Sequence, residues 1–157
     1  IFRLVKKDVE SFKCNDNLLP LNLFNTFHPF NSQGTLWPKE FLKLAYLPET
    51  CPFRMTDIWR GYIAQNIFYK HDYAVSFQET ALVQKRNIHN IAQDFFGEHP
   101  GYIQVNELLN TLNGVKVSSI DDMLFDSYLA LSKIGIFDHK RELPLLECYL
   151  KSFEDKK

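Results

Sequence analysis

Residues 29–70 read PFNSQGTLWPKEFLKLAYLPETCPFRMTDIWRGYIAQNIFYK, and the changes of pattern inside this stretch set the expected fold. A strand-like run, Leu18 to Phe27, precedes it. Pro29, Asn31, Ser32 and Gly34 break that run. Pro38 then suits the first turn of a helix, where a missing N–H costs nothing. Phe41, Leu42, Ala45 and Tyr46 give that helix an apolar face, and Pro48 ends it. Thr56 is placed to cap a second helix, its hydroxyl accepting from the free N–H groups of the first turn. Ile58, Tyr62, Ile63 and Ile67 recur at helical spacing and carry this helix to about Lys70. A strand, a polar junction and then helices predict an α/β domain.

The pattern extends outward on both sides. Ile1 to Val5 alternate apolar and polar, which reads as a strand whose partner lies upstream. Lys6 to Asn17 form a polar loop. Downstream, Tyr73 to Phe77 and Ala81 to Gln84 are short strand candidates. Asn87 to Phe96 is expected to be helical, ending near Gly97 and Pro100, with a further short helix from Asn106 to Leu112. Ser119 with Asp121 and Asp122 makes a helix start, Gly135 a stop, and a last helix is expected to begin near Pro144.

A chain of 157 residues fits one domain. Apolar residues make up 45% and charged residues 24%, an ordinary globular balance, while an aromatic share of 15% predicts a core built largely from rings, some of them lining a groove. Net charge is −1 and the lysines and arginines are scattered, so no basic stripe exists for a nucleic acid backbone. No apolar run reaches the roughly 20 residues of a membrane-spanning helix. The chain starts at Ile1 rather than Met and reads as a piece of something longer, with any anchor upstream. Cys14, Cys51 and Cys148 form neither a metal motif nor a clear disulfide framework, and no Asn-x-Ser/Thr sequon occurs.

Three clusters can carry chemistry. In Pro29-Phe30-Asn31-Ser32-Gln33-Gly34-Thr35-Leu36-Trp37, hydrogen-bonding side chains sit between two rings. They can face a sugar, or they can simply satisfy their own turn. In Phe53-Arg54-Met55-Thr56-Asp57-Ile58-Trp59-Arg60-Gly61-Tyr62, a carboxylate in a first helical turn is hemmed by Arg54, Trp59 and Arg60. Asp57 can act as a general base on an acceptor hydroxyl. The plainer reading is an aspartate favoured there by the helix dipole, with Arg54 as its ion-pair partner. In Gln84-Lys85-Arg86-Asn87-Ile88-His89-Asn90, Lys85 and Arg86 can neutralise a diphosphate and His89 can ligate a divalent metal. A lone histidine near a helix start is more often a solvated or capping residue. No Gly-rich phosphate loop, nucleophile elbow or zinc motif occurs.

Together these clusters resemble the STELLO family of Golgi glycosyltransferases. The matching stretches are Pro29 to Trp37, Leu47-Pro48, Arg54 to Tyr62 with Ala64-Gln65, and Val83 to Asn87 with His89. Asp94-Phe95 and the opening Ile1-Phe2-Arg3-Leu4 fit as well. The resemblance covers residues 1–112, and residues 113–157 carry no motif of the family. They read as a helical C-terminal extension packed on the same domain.

The resemblance implies a GT-A-like nucleotide-sugar transferase, of which this chain is the C-terminal, acceptor-side part. It implies type II membrane topology with an anchor upstream, a lumenal domain in the Golgi, and metal-dependent transfer from a nucleotide-sugar donor to a hydroxyl on a glycan or protein acceptor. The metal would be Mn2+ or Mg2+. Carried onto this sequence, Asp57 is the base and His89 the metal ligand. Asn31, Gln33, Trp37, Arg54, Trp59, Arg60, Lys85 and Arg86 become substrate contacts. No Asp-x-Asp occurs, so the donor half lies upstream or the chemistry has been lost. The alternative is a non-catalytic relative that holds partner proteins together in the Golgi.

Overall fold

The computed structural model describes residues 2–6, 21–23, 26–30, 32, 34–77 and 90–153. The expected strand Ala81 to Gln84 lies outside them. Four strands, β1 (Phe2–Lys6), β2 (Leu21–Leu23), β3 (Thr35–Leu36) and β4 (Tyr73–Phe77), form a mixed sheet in the order β2-β4-β1-β3. Four helices, α1 (Thr56–Lys70), α2 (Ile91–Gly114), α3 (Ile120–Lys133) and α4 (His139–Lys151), supply most of the described chain. Sheet and helices are both present. The balance is nonetheless more helical than an α/β reading implies, because β2 has 3 residues and β3 only 2.

The first strand does not wait for an upstream partner. β1 pairs antiparallel with β4, Leu4 opposite Val75, and parallel with β3, Phe2 opposite Thr35. Both partners come later in the same chain. Local alternation predicts a strand correctly but says nothing about which strand it joins.

α1 is the hub of the core. Trp59, Ile63, Ala64, Ile67 and Phe68 are all buried on it, and so are the polar Gln65 and Asn66. A helix covered on most sides must satisfy its polar side chains internally. Asn66 Nδ2 donates to Leu112 O at 3.1 Å, and Gln65 Nε2 donates to Gly61 O at 3.0 Å. The expected ring-rich core is present beside it: Phe41 meets Phe68 edge-on at 5.4 Å and Tyr73 at 4.8 Å. Thr56 does not cap α1 as expected. A 3-10 turn, Phe53–Met55, runs straight into the helix, and the Thr56 hydroxyl donates to Phe53 O at 2.9 Å instead of accepting.

Two other helices depart from the sequence expectation. α2 is continuous through Gly97 and Pro100, where the sequence predicts a stop. A Cβ on Gly97 would sit 3.0 Å from Arg54 Cγ, and one on Gly101 would sit 2.6 Å from Met55 Cε. The glycines here allow close packing of α2 on the 3-10 turn, and that packing outweighs the single backbone hydrogen bond lost at Pro100. α2 begins at Ile91, capped by Asn90, whose side chain accepts from Gln93 N. α4 starts at His139, ahead of Pro144, because the Asp138 side chain caps it by accepting from Lys140 N at 2.9 Å. α3 follows expectation, with Ser119 Oγ accepting from Asp122 N at 3.2 Å and Gly135 ending the turn at φ +81.

Met123, Leu124, Tyr128 and Leu131 of α3 and Leu143 and Leu146 of α4 join the same buried cluster as α1. Among the described residues no helix is long and apolar enough to cross a membrane.

Candidate functional site at the start of the central helix

The segment before β3 runs along α1 and is hydrogen-bonded to it at Asp57, Arg60, Gln65 and Tyr69. His28 N donates to Gln65 Oε1 at 2.9 Å, and Gln65 Nε2 donates back to His28 O. Arg60 Nη2 donates to Phe30 O at 3.1 Å. Ser32 donates to Asp57 Oδ1 through both its backbone N–H, at 3.1 Å, and its hydroxyl. Gly61 makes this approach feasible, because a Cβ there would lie 3.2 Å from Phe30 N. The two clusters singled out in the sequence thus form one structure.

Asp57 sits in the first turn of α1, a position that favours a carboxylate. Its Oδ1 accepts from Ser32 N, Ser32 Oγ and Arg60 Nη2, the last at 3.1 Å. Among the described residues no donor reaches Oδ2. The side chain is 33% exposed, and Oδ1 is the oxygen that its partners fix. Arg60, by contrast, is 2% exposed. Its guanidinium lies 5.0 Å from the Phe30 ring centre and 5.2 Å from that of Trp37. Burial pushes its pKa down, while Asp57 and Tyr128 oppose that shift. Two rings, a carbonyl and a carboxylate replace the water around this cation.

The other expected site residues divide cleanly. Trp59 is 1% exposed in the core and offers no face to a substrate. Arg60 is equally out of reach of a diphosphate and serves to hold Asp57 and the Phe30 backbone. Both substrate-contact assignments are therefore corrected. Arg54 pairs with Asp94 and lies 4.0 Å from Glu98, tying the 3-10 turn to α2 rather than bonding to Asp57. Trp37 is half-buried, its ring 5.8 Å from Phe30 and 6.1 Å from Phe68, and it walls in Arg60. Asn31, Gln33, Lys85, Arg86 and His89 lie outside the described residues. Among the described residues, no three His, Cys, Asp or Glu side chains come together as a metal site.

Residues 54–155 match the family described as STELLO glycosyltransferases. The chain belongs to the STELLO glycosyltransferase family. Membership points to glycosyltransferase-like function, with a sugar donor and an acceptor as substrates. The STELLO match includes Asp57, Arg60, Gly61 and Gln65, and it continues through α3 and α4, beyond residue 112 where the motif resemblance stops. No curated protein and no solved structure matches the chain.

Sequence reasoning missed two kinds of residue in this STELLO chain. Gly61 and Gln65 stood inside a quoted motif without a role, and only the crossing segment explains them. Glu142 gave no signal at all. It is 0% exposed, yet it ties α4 to the loop before α1. Tyr46 Oη donates to it at 2.7 Å and Thr50 Oγ1 at 2.6 Å. A first-turn glutamate in a charged helix looks like any solvated residue until its loop partner is known.

Proposed function

We propose that the chain is the acceptor-side part of a GT-A-like transferase that moves a sugar from a nucleotide donor to a hydroxyl of a glycan or protein acceptor. Asp57 is the group that takes the acceptor proton. One observation carries this reading: Asp57 is one-third exposed, with Oδ1 held by Ser32 and Arg60 and Oδ2 without a described donor. A base needs an oriented oxygen within reach of a solute, and this arrangement supplies one. Family membership supports sugar transfer as the chemistry. Residence in the Golgi lumen, an anchor elsewhere in the protein, and diphosphate contacts from Lys85 and Arg86 belong to the same proposal. Asn31 and Gln33 would face the acceptor. The described residues supply no ligand set for Mn2+ or Mg2+, so no step is routed through a metal, and His89 enters only as a candidate ligand.

The test is a panel of nucleotide sugars with the complete protein, with and without Mn2+, scored by thermal shift and by release of nucleotide diphosphate. The reading expects one donor to raise the melting temperature, because a ligand that binds the native state stabilises it. It also expects Asp57→Asn to keep that shift while losing release. Full release by Asp57→Asn would refute the role of Asp57. A second reading, a scaffold that binds partner proteins, is favoured by the solvent face of α2. There Ile91, Phe95, Phe96, Tyr102 and Ile103 are 82%, 52%, 74%, 65% and 66% exposed. Absence of any donor shift would favour it.

A further inference from the structure

Glu142 is a carboxylate with 0% exposure, and among the described residues no cation pairs with it. Its neighbour Arg141 is turned outward to Glu49, 3.1 Å away in an exposed pair. In place of a cation, Glu142 meets a concave set of donors. Glu49 N reaches both carboxylate oxygens at 3.2 Å, Thr50 N reaches Oε2 at 2.8 Å, Thr50 Oγ1 reaches Oε2 at 2.6 Å, and Tyr46 Oη reaches Oε1 at 2.7 Å. Successive backbone N–H groups that converge in this way form an anion-binding nest. The Thr50 hydroxyl is oriented in turn, since its oxygen accepts from Asp138 N at 3.0 Å. The donors belong to one loop, and the acceptor comes from α4, more than ninety residues later.

We infer that the loop from Tyr46 to Cys51 is a built carboxylate-binding site, which Glu142 fills from within the same chain and which thereby latches α4 onto the core. The inference does not depend on the proposed transferase activity. Cys51 adjoins the nest and reports its state. Burial and the nearby Glu142 push its thiol up to about 12, so opening of the loop is expected to raise its reactivity. Cys148, by contrast, is exposed.

The experiment uses the full chain with Cys14→Ser and Cys148→Ser, which leaves Cys51 as the single thiol, and follows its labelling by a maleimide. Glu142→Ala is expected to label at least about tenfold faster, since four donors lose their acceptor and the loop opens more often. Acetate, but not chloride at equal ionic strength, is expected to slow that labelling again by occupying the vacated nest. Equal labelling in acetate and chloride would overturn the inference. If Glu142→Ala folds only in acetate, that outcome also supports it. If it folds in neither, Glu142→Gln decides: it keeps the shape but not the charge. Labelling of Cys51 several-fold faster than in the parent supports the latch, and an unchanged rate overturns it.

Discussion

Two carboxylates anchor distant parts of this chain to the same core, and they are treated in opposite ways. Asp57 commits one oxygen to Ser32 and Arg60, leaves the other without a described donor on a side chain one-third exposed, and has a buried cation beside it. Glu142 is fully buried, both oxygens are saturated, and neutral donors take the place of a cation. A carboxylate whose every lone pair is occupied can hold a fold but has nothing left for a substrate. One that is half-committed is oriented and still available. The difference separates a structural acid from a candidate catalytic one without reference to motif.

The largest expected effect falls on the latch. Glu142→Ala should lower the unfolding free energy by about 3 kcal/mol, because it leaves buried donors without an acceptor. Urea titration measures this, and a loss under about 1 kcal/mol would erase the contrast between the two acids. Arg60→Met should cost about 2 kcal/mol, since Phe30 O and Asp57 each lose a partner while the apolar packing is largely kept. Its loss should also speed proteolysis of the segment around Phe30. Gly61→Ala comes next, at about 1 kcal/mol, because its methyl would press on the Phe30 backbone 3.2 Å away. An unchanged midpoint would mean that the crossing segment gives way freely.

High pH sharpens the comparison from the Glu142 side. Burial raises the pKa of Cys51 from 9.0 to about 12, and burial with Glu142 also raises those of Tyr46 and Tyr128 above 10.0. A raised pKa in the folded state means that the native form holds its proton longer than the unfolded chain does. The associated stability is complete below pH 9 and is lost as pH rises from there through about 12. Denaturant midpoints taken from pH 8 upward should therefore fall as the pH passes about 9, and a flat profile would contradict this electrostatic picture of the nest. The smallest stability effect is expected at Asp57. Asp57→Asn keeps the shape and an accepting oxygen at a partly solvated site, so it should cost less than about 1 kcal/mol.

The sequence disclosed the candidate site better than the fold around it. Asp57, Arg60, Ser32 and Trp37 were all in view because local motifs named them, and a close-packed crossing needs a glycine such as Gly61. Their roles were not legible. Arg60 and Trp59 look alike in a string of letters whether they face solvent or core; Phe30 and Trp37 cover Arg60, while Trp59 lies against α2 near Gly101. The helix boundaries failed where tertiary packing overruled local rules. α2 runs through Pro100 because Gly97 and Gly101 let it press on the turn at Phe53–Met55. β1 looked unpartnered because its partners, β3 and β4, are chosen by the three-dimensional path of the chain. Glu142 was invisible for the same reason, its donors lying more than ninety residues earlier.

The contrast between the two acids is tested most directly by comparing Asp57→Asn with Glu142→Gln in the complete protein, reading melting temperature and sugar transfer on the same samples. Asp57→Asn should keep the parent melting temperature within a few degrees and lose transfer, while Glu142→Gln should melt clearly lower and retain transfer below its melting point. The opposite pattern, with Asp57→Asn fully active or Glu142→Gln melting like the parent, would contradict the assignment of chemistry to one carboxylate and architecture to the other.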